Sequence, residues 1–164
     1  MKPKSTSLFP CGVAAVSLAG WILLCFGAAL PGAWFMPGEW YASLAKPRWN
    51  PPSWYFAPVW SALYVMMAVA AWMVWQRGGW SAPRRPLALF LGQLALNALW
   101  TPLFFGGHRM GLALAEIMLL WLAIVGTVRA FWSVNRVAAW LLVPYLAWVS
   151  FAAFLNFTLW RLNA

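Results

Sequence analysis

Five runs of apolar residues, each long enough to cross a bilayer as a helix, leave this chain almost no other way to fold. They cover roughly residues 10–30, 53–76, 86–105, 110–131 and 136–160, where about 20 helical residues span the hydrocarbon core. Inside that core every backbone N–H and C=O must be paired within the protein, which admits helices or a closed barrel. None of the runs alternates apolar and polar residues as a barrel strand does. The sequence therefore predicts an all-α membrane protein, one domain over residues 1–164, built as a five-transmembrane-helix bundle. A hydrophobic content of 65% against 8% charged residues excludes an ordinary soluble domain.

Eleven Lys and Arg stand against two acids, a net charge of +9, and the cations sit almost entirely in the connections between runs. That distribution points to the lipid bilayer as a partner and not to nucleic acid, which needs a clustered basic face. Lys2, Lys4, Arg77, Arg84, Arg85, Arg129 and Arg136 share the side of the N-terminus; Lys46, Arg48, Arg109 and Arg161 lie opposite. The positive-inside rule places the N-terminus in the cytoplasm. The first run follows Lys2 and Lys4 as a signal peptide would, but it is long and ends at Pro31-Gly32 without a small-x-small cleavage site, so it reads as a retained anchor. The chain length and the lack of an evident targeting segment favour a bacterial source. Cys11 and Cys25 are 14 residues apart in one run, about 21 Å on a helix, too far for a disulfide.

The first connection is the most distinctive stretch. Between Trp40 and Trp60 it reads WYASLAKPRWNPPSWYFAPVW. Proline fixes φ and interrupts a helix, while Trp and Tyr offer flat faces with one polar handle each. A stiff aromatic lid follows, carrying Trp40, Lys46, Arg48 and Trp49, a structured first loop capping a pocket for a flat, greasy molecule.

Three runs carry polar stripes at helical spacing. Gln93, Asn97 and Trp100 lie at i, i+4, i+7; Trp148, Ala152 and Asn156 at i, i+4, i+8, with Pro144 a turn earlier where it would kink the helix; Trp60 and Tyr64 at i, i+4. Amides are costly in hydrocarbon unless hydrogen-bonded, so these faces point inward. There they either tie neighbouring helices together or line a cavity beneath the lid. Glu116 is the one acid inside a run, and an intramembrane carboxylate is a functional candidate by default. It either sits near enough to the interface to reach water or pairs with Arg109. Ala88-x-x-x-Gly92 and Gly111-x-x-x-Ala115 permit close helix approach and suggest a homodimer through the third run. His108 stands in a loop with no second ligand at metal spacing, so no metal site is expected. With no nucleophile elbow or phosphate loop, and only Glu39 and Glu116 as acids, the sequence offers no catalytic residues for acid-base chemistry and requires no cofactor.

The run from Trp40 to Tyr64, WY-x-x-L-x-KP-x-W-x-PP-x-W-x-F-x-PVW-x-x-LY, is followed by QLALNALWTPLFF (Gln93 to Phe105) and PYLAWVSFAAFLN (Pro144 to Asn156). In this order the three resemble the TspO/MBR family, the tryptophan-rich sensory proteins and mitochondrial translocator proteins, also called peripheral-type benzodiazepine receptors. The resemblance implies a five-helix bundle, commonly dimeric, that binds porphyrins such as protoporphyrin IX or haem, sterols, and isoquinoline or benzodiazepine-type drugs. It puts the pocket at Tyr41, Pro51, Trp60, Tyr64, Asn97, Trp100, Trp148 and Ala152, with Gln93 on the adjoining stripe. The implied function is a tetrapyrrole-binding sensor or transport regulator, with the macrocycle between Trp60 and Trp148, its polar edge on Asn97 and Tyr41, and Lys46 or Arg48 at the propionates. Slow light-dependent porphyrin breakdown through Trp60 and Trp148, or small-molecule export, are the alternatives. The family's sterol motif ends in Leu or Val, then Tyr, then Lys or Arg; here Leu155, Phe157 and Arg161 stand there and the tyrosine hydroxyl is missing.

Overall fold

The computed structural model describes residues 11–77 and 84–164. Lys2, Lys4, the side chain of Cys11 and the turn formers Gly78, Gly79 and Pro83 lie outside the described residues. Eight α-helices follow in order: α1 (Cys11–Gly27), α2 (Leu30–Trp34), α3 (Glu39–Ser43), α4 (Phe56–Trp75), α5 (Arg84–Thr101), α6 (Met110–Trp132), α7 (Arg136–Leu141) and α8 (Val143–Asn163). All but α3, which lies in the first connection, contribute to five segments of the described residues long and apolar enough to cross a membrane: Gly12–Trp34, Ser53–Trp75, Arg84–Gly106, Met110–Trp132 and Arg136–Asn163. No strand occurs among the described residues. The expected all-helical membrane fold is the one observed.

The prolines decide where these segments bend. Pro31 does not end the first span, contrary to the sequence reading. It occupies the first turn of α2, where its missing N–H would have had no partner, so helix resumes after a turn at Ala28 and Ala29 and runs on to Trp34. Pro102 sits inside the third span. It cannot donate to the carbonyl four residues back, and the chain widens there into a π-turn over Pro102–Gly106 that closes with Gly107 N–H on the Pro102 carbonyl at 2.8 Å. The fifth span breaks at Leu142, between α7 and α8, and Pro144 lies in the first turn of α8. The kink expected at Pro144 is therefore real and begins two residues earlier.

The spans close into a ring. α4 packs on α1 and on α7, α7 and α8 on α6, α6 on α5, and α5 on α2. Packing is tightest at the end that holds α7. Ala70 and Ala71 of α4 and Ala138 and Ala139 of α7 are all fully buried, and side chains this small let two helices approach closely. Met67, Val74, Phe90, Ile124 and Phe131 complete this core. At the other end α4 meets α8 at few positions, and α4 buries none of Phe56 to Ala62. The bundle is thus sealed at the α7 end and loose beneath the first connection.

Candidate functional site

Aromatic contacts and a few hydrogen bonds fix the first connection over that loose end. The π-turn aims Phe104 and Phe105 at the lid: the Trp40 ring lies 5.7 Å from Phe104, Tyr41 lies 5.5 Å from Phe105, and Trp100 stacks beneath Phe104 at 4.9 Å. Trp49 stacks on Phe154 of α8 at 5.3 Å. The amide of Asn163, near the end of α8, accepts from the Ala45 N–H at 2.9 Å and donates to the Ala45 carbonyl at 3.0 Å. His108 is exposed, as a loop histidine should be, yet its ring stacks on Trp40 at 4.1 Å and 12° and its backbone takes a φ of 52°. Such a conformation disfavours most side chains.

Within the lid, the Lys46 ammonium donates to the Ala42 and Leu44 carbonyls at 3.0 and 3.1 Å and lies 4.8 Å from the centre of the Tyr41 ring. Two of its three N–H groups are thereby used. The Tyr41 hydroxyl donates to Asn50 Oδ1 at 3.2 Å. Burial raises the Tyr41 phenol above its ordinary value, and the Asn50 bond partly offsets this. Arg48 is exposed.

Two hollows adjoin across Pro51 and Pro52. One, of about 360 Å³, is lined by Trp49, Pro51, Pro52, Tyr55, Trp148 and Phe151. Its walls are almost wholly apolar, and the Trp148 indole N–H is buried without a hydrogen-bond partner among the described residues. The other, of about 320 Å³, is lined by residues that include Tyr41, Lys46, Asn50 and Ser53, and is the more polar of the two. Each lies at the lower end of the range of about 300–1,000 Å³ seen for small-molecule sites.

The inward stripes converge, but on one another. Tyr64 Oη donates to Asn97 Oδ1 at 2.7 Å, Asn97 Nδ2 donates to the Tyr145 hydroxyl at 3.2 Å, and that hydroxyl donates to Gln93 Oε1 at 2.9 Å. All four residues are buried. Beside them, Trp100 Nε1 donates to Asn156 Oδ1 at 3.2 Å, and Asn156 Nδ2 to the Met110 carbonyl at 2.9 Å. Of the two roles open to these amides, this is helix tying. Trp60, Tyr64, Gln93, Asn97, Trp100 and Ala152 line neither hollow, whereas Tyr41, Pro51 and Trp148 do. Trp60 stacks on Tyr64 at 5.5 Å and meets Tyr145 edge-on at 6.3 Å, while Trp148 packs on Phe56 at 5.8 Å.

Several participants escaped the sequence reading. Tyr145 joins the network and shares the α8 stripe of Trp148, Ala152 and Asn156 at helical spacing, so the signal was present. Asn50, Pro52, Tyr55 and Phe151 line the hollows, and only contact across elements reveals them. Glu116 is 5% exposed and neither carboxyl oxygen has a hydrogen-bond partner among the described residues; it neither reaches water nor pairs with Arg109. Gly111 faces the Trp160 indole, which a Cβ would approach to 3.5 Å, so Gly111 serves packing within the chain, whereas Ala115 is exposed. Leu155 is buried while Phe157 and Arg161 are exposed, which places the sterol-motif residues on different sides of α8.

A model of the TspO/MBR family matches residues 21–161, nearly all of the bundle and the whole lid. The chain belongs to the TspO/MBR family. Among its relatives, the translocator protein of Bos taurus is 44% identical over 153 residues, 90% of each chain. The tryptophan-rich sensory protein of Cereibacter sphaeroides is 46% identical over 139 residues, 85% of this chain and 86% of its own. Protein CrtK of Rhodobacter capsulatus is 42% identical over 149 residues, 88% and 91% of the two chains. Like them in sequence, this TspO/MBR protein is an integral, multi-pass membrane protein.

Proposed function

We propose that this TspO/MBR protein binds a flat, amphipathic tetrapyrrole of the protoporphyrin IX or haem type under its lid, as a sensor or transport regulator. The observation that carries the reading is the pair of adjoining hollows. An apolar ring system suits the Trp49, Trp148 and Phe151 side, and acidic substituents suit the Tyr41, Lys46 and Asn50 side, where one Lys46 N–H remains free to donate. The names of its relatives, translocator and sensory protein, accord with this class. The rings of Trp148 and Phe151 line the apolar hollow and supply aromatic contacts for the macrocycle. The polar edge thereby moves from Asn97, which the buried network occupies, to Asn50.

The test is titration of protoporphyrin IX and of its dimethyl ester into the purified protein. Trp148→Ala is expected to weaken both, by roughly 2- to 12-fold for an aromatic contact of about 0.5–1.5 kcal/mol. Lys46→Ala is expected to weaken the acid alone. Equal binding of acid and ester to every variant would overturn the reading.

Orientation and pairing in the membrane belong to this proposal. The N-terminus faces the cytoplasm, on the cation distribution, which a cysteine-labelling experiment from either side of the membrane checks. The chain pairs with a second copy through α5, whose Ala88, Leu91, Gly92, Ala95 and Leu99 are all exposed and where a Cβ on Gly92 would meet nothing within 4 Å. Crosslinking in native membranes that yields monomer alone would rule that pairing out.

A further inference from the structure

The end of the bundle opposite the lid carries cations and no acids. Of the two acids in the chain, Glu39 lies in the lid and Glu116 is buried within α6. Two acids cannot neutralise eleven cations in any arrangement, and the net charge is +9. The counter-charge must come from outside the chain.

One place at this end is organised to receive it. Arg129 and Trp132 lie three residues apart in the last turns of α6, on one face of the helix. Arg136 opens α7, and Trp140 follows four residues later. Asn135 caps α7 by accepting from the Val137 N–H at 3.0 Å, which sets the direction in which Arg136 leaves the turn. The Arg136 guanidinium lies 5.9 Å from the Trp132 ring centre, and the Trp132 and Trp140 rings are 5.9 Å apart. All four side chains are exposed, the indoles 43% and 60%, and neither guanidinium has a hydrogen bond or ion pair among the described residues. Two arginines therefore flank a pair of touching indoles at the level where a span ends.

We propose that Arg129, Trp132, Arg136 and Trp140 form a binding site for one anionic phospholipid. The arginine forks match a phosphate oxygen pair, and the indoles seat the glycerol region and the first acyl carbons at the membrane interface. A phosphate diester with no compensating ammonium, as in phosphatidylglycerol, carries the net charge this surface lacks. Phosphatidylcholine does not. The site is remote from the lid and independent of what binds there.

The experiment is native mass spectrometry of the whole protein from mixed micelles holding phosphatidylglycerol and phosphatidylcholine of identical chains. The wild type is expected to retain phosphatidylglycerol in preference. Arg129→Gln with Arg136→Gln should cut that retention by about fivefold per arginine, the equivalent of about 1 kcal/mol per charge near an anionic surface. Arg48→Gln with Arg161→Gln, which removes the same charge from exposed positions at the lid end, should leave it unchanged. Trp140→Leu keeps every charge, is expected to weaken retention less than the double arginine change, and carries the test should that double variant not fold. Equal loss in the two double variants, equal retention of the two lipids, or displacement of the lipid by millimolar inorganic phosphate would each overturn the proposal, the last by revealing a free-anion site.

Discussion

Replacing Tyr145 with Phe removes one oxygen atom from the middle of the buried network, and its cost follows from who is left behind. The hydroxyl donates to Gln93 Oε1 and accepts from Asn97 Nδ2. Gln93 Nε2 has no partner among the described residues, so the change strands the whole Gln93 amide in the core. Two transmembrane side-chain hydrogen bonds at about 0.6 kcal/mol each, plus about 1–3 kcal/mol for a stranded polar group, give roughly 2–4 kcal/mol. Tyr64→Phe deletes one bond and leaves Asn97 Oδ1 unpaired while Asn97 Nδ2 keeps Tyr145, so a smaller cost of about 0.6–2 kcal/mol is expected. Gln93→Leu on top of Tyr145→Phe should recover most of the loss, because removing both partners of a buried bond is nearly neutral. Unfolding in mixed micelles with rising dodecyl sulfate, followed by far-ultraviolet circular dichroism, reads all three. Equal costs for Tyr145→Phe and Tyr64→Phe, or no recovery with Gln93→Leu, would refute the reasoning.

Asn163→Ala severs both hydrogen bonds to Ala45 while leaving the spans intact; amide hydrogen exchange at Ala45 should quicken, with exchange in α4 and α6 unchanged. Gly106→Ala would put a Cβ 2.6 Å from Phe35 Cδ1; both residues are exposed, so the ring can swing aside and the cost should stay below the roughly 1–3 kcal/mol of an overpacked core, a small loss that thermal unfolding should show and Phe35→Ala should relieve. The raised Tyr41 phenol means that the folded lid binds the proton more tightly than the unfolded chain. Its contribution is complete below the unfolded value of 10.0 and is lost as pH rises above it. Lid protection, taken relative to the intrinsic base-catalysed exchange rate, is therefore expected to fall above that pH in the wild type and to stay flat in Tyr41→Phe.

Much of this protein can be read from particular residues. Runs of apolar side chains about 20 residues long admit membrane helices and little else, and the stripes of Gln93, Asn97 and Tyr64 had to face inward because hydrocarbon does not solvate an amide. Periodicity gives the face of each helix and nothing about its neighbours. Whether Asn97 meets a ligand or Tyr145 depends on the vertical register of α5 against α8, which Pro102 and the break at Leu142 set. Pro31 misled for a related reason: a proline stops a helix in its interior and is welcome in its first turn, and the turn at Ala28 and Ala29 decides which case applies.

Composition and spacing alone thus determined a membrane bundle of five spans, its excess of cations and an aromatic, proline-rich first connection. They did so because transfer free energy and backbone hydrogen bonding act residue by residue. Tertiary structure decided that the amide stripes close on one another, that the open space lies higher, along Pro51 and Pro52, and that His108 and Asn163 hold the lid. Those outcomes rest on contacts between residues as many as 118 positions apart, which no local pattern encodes.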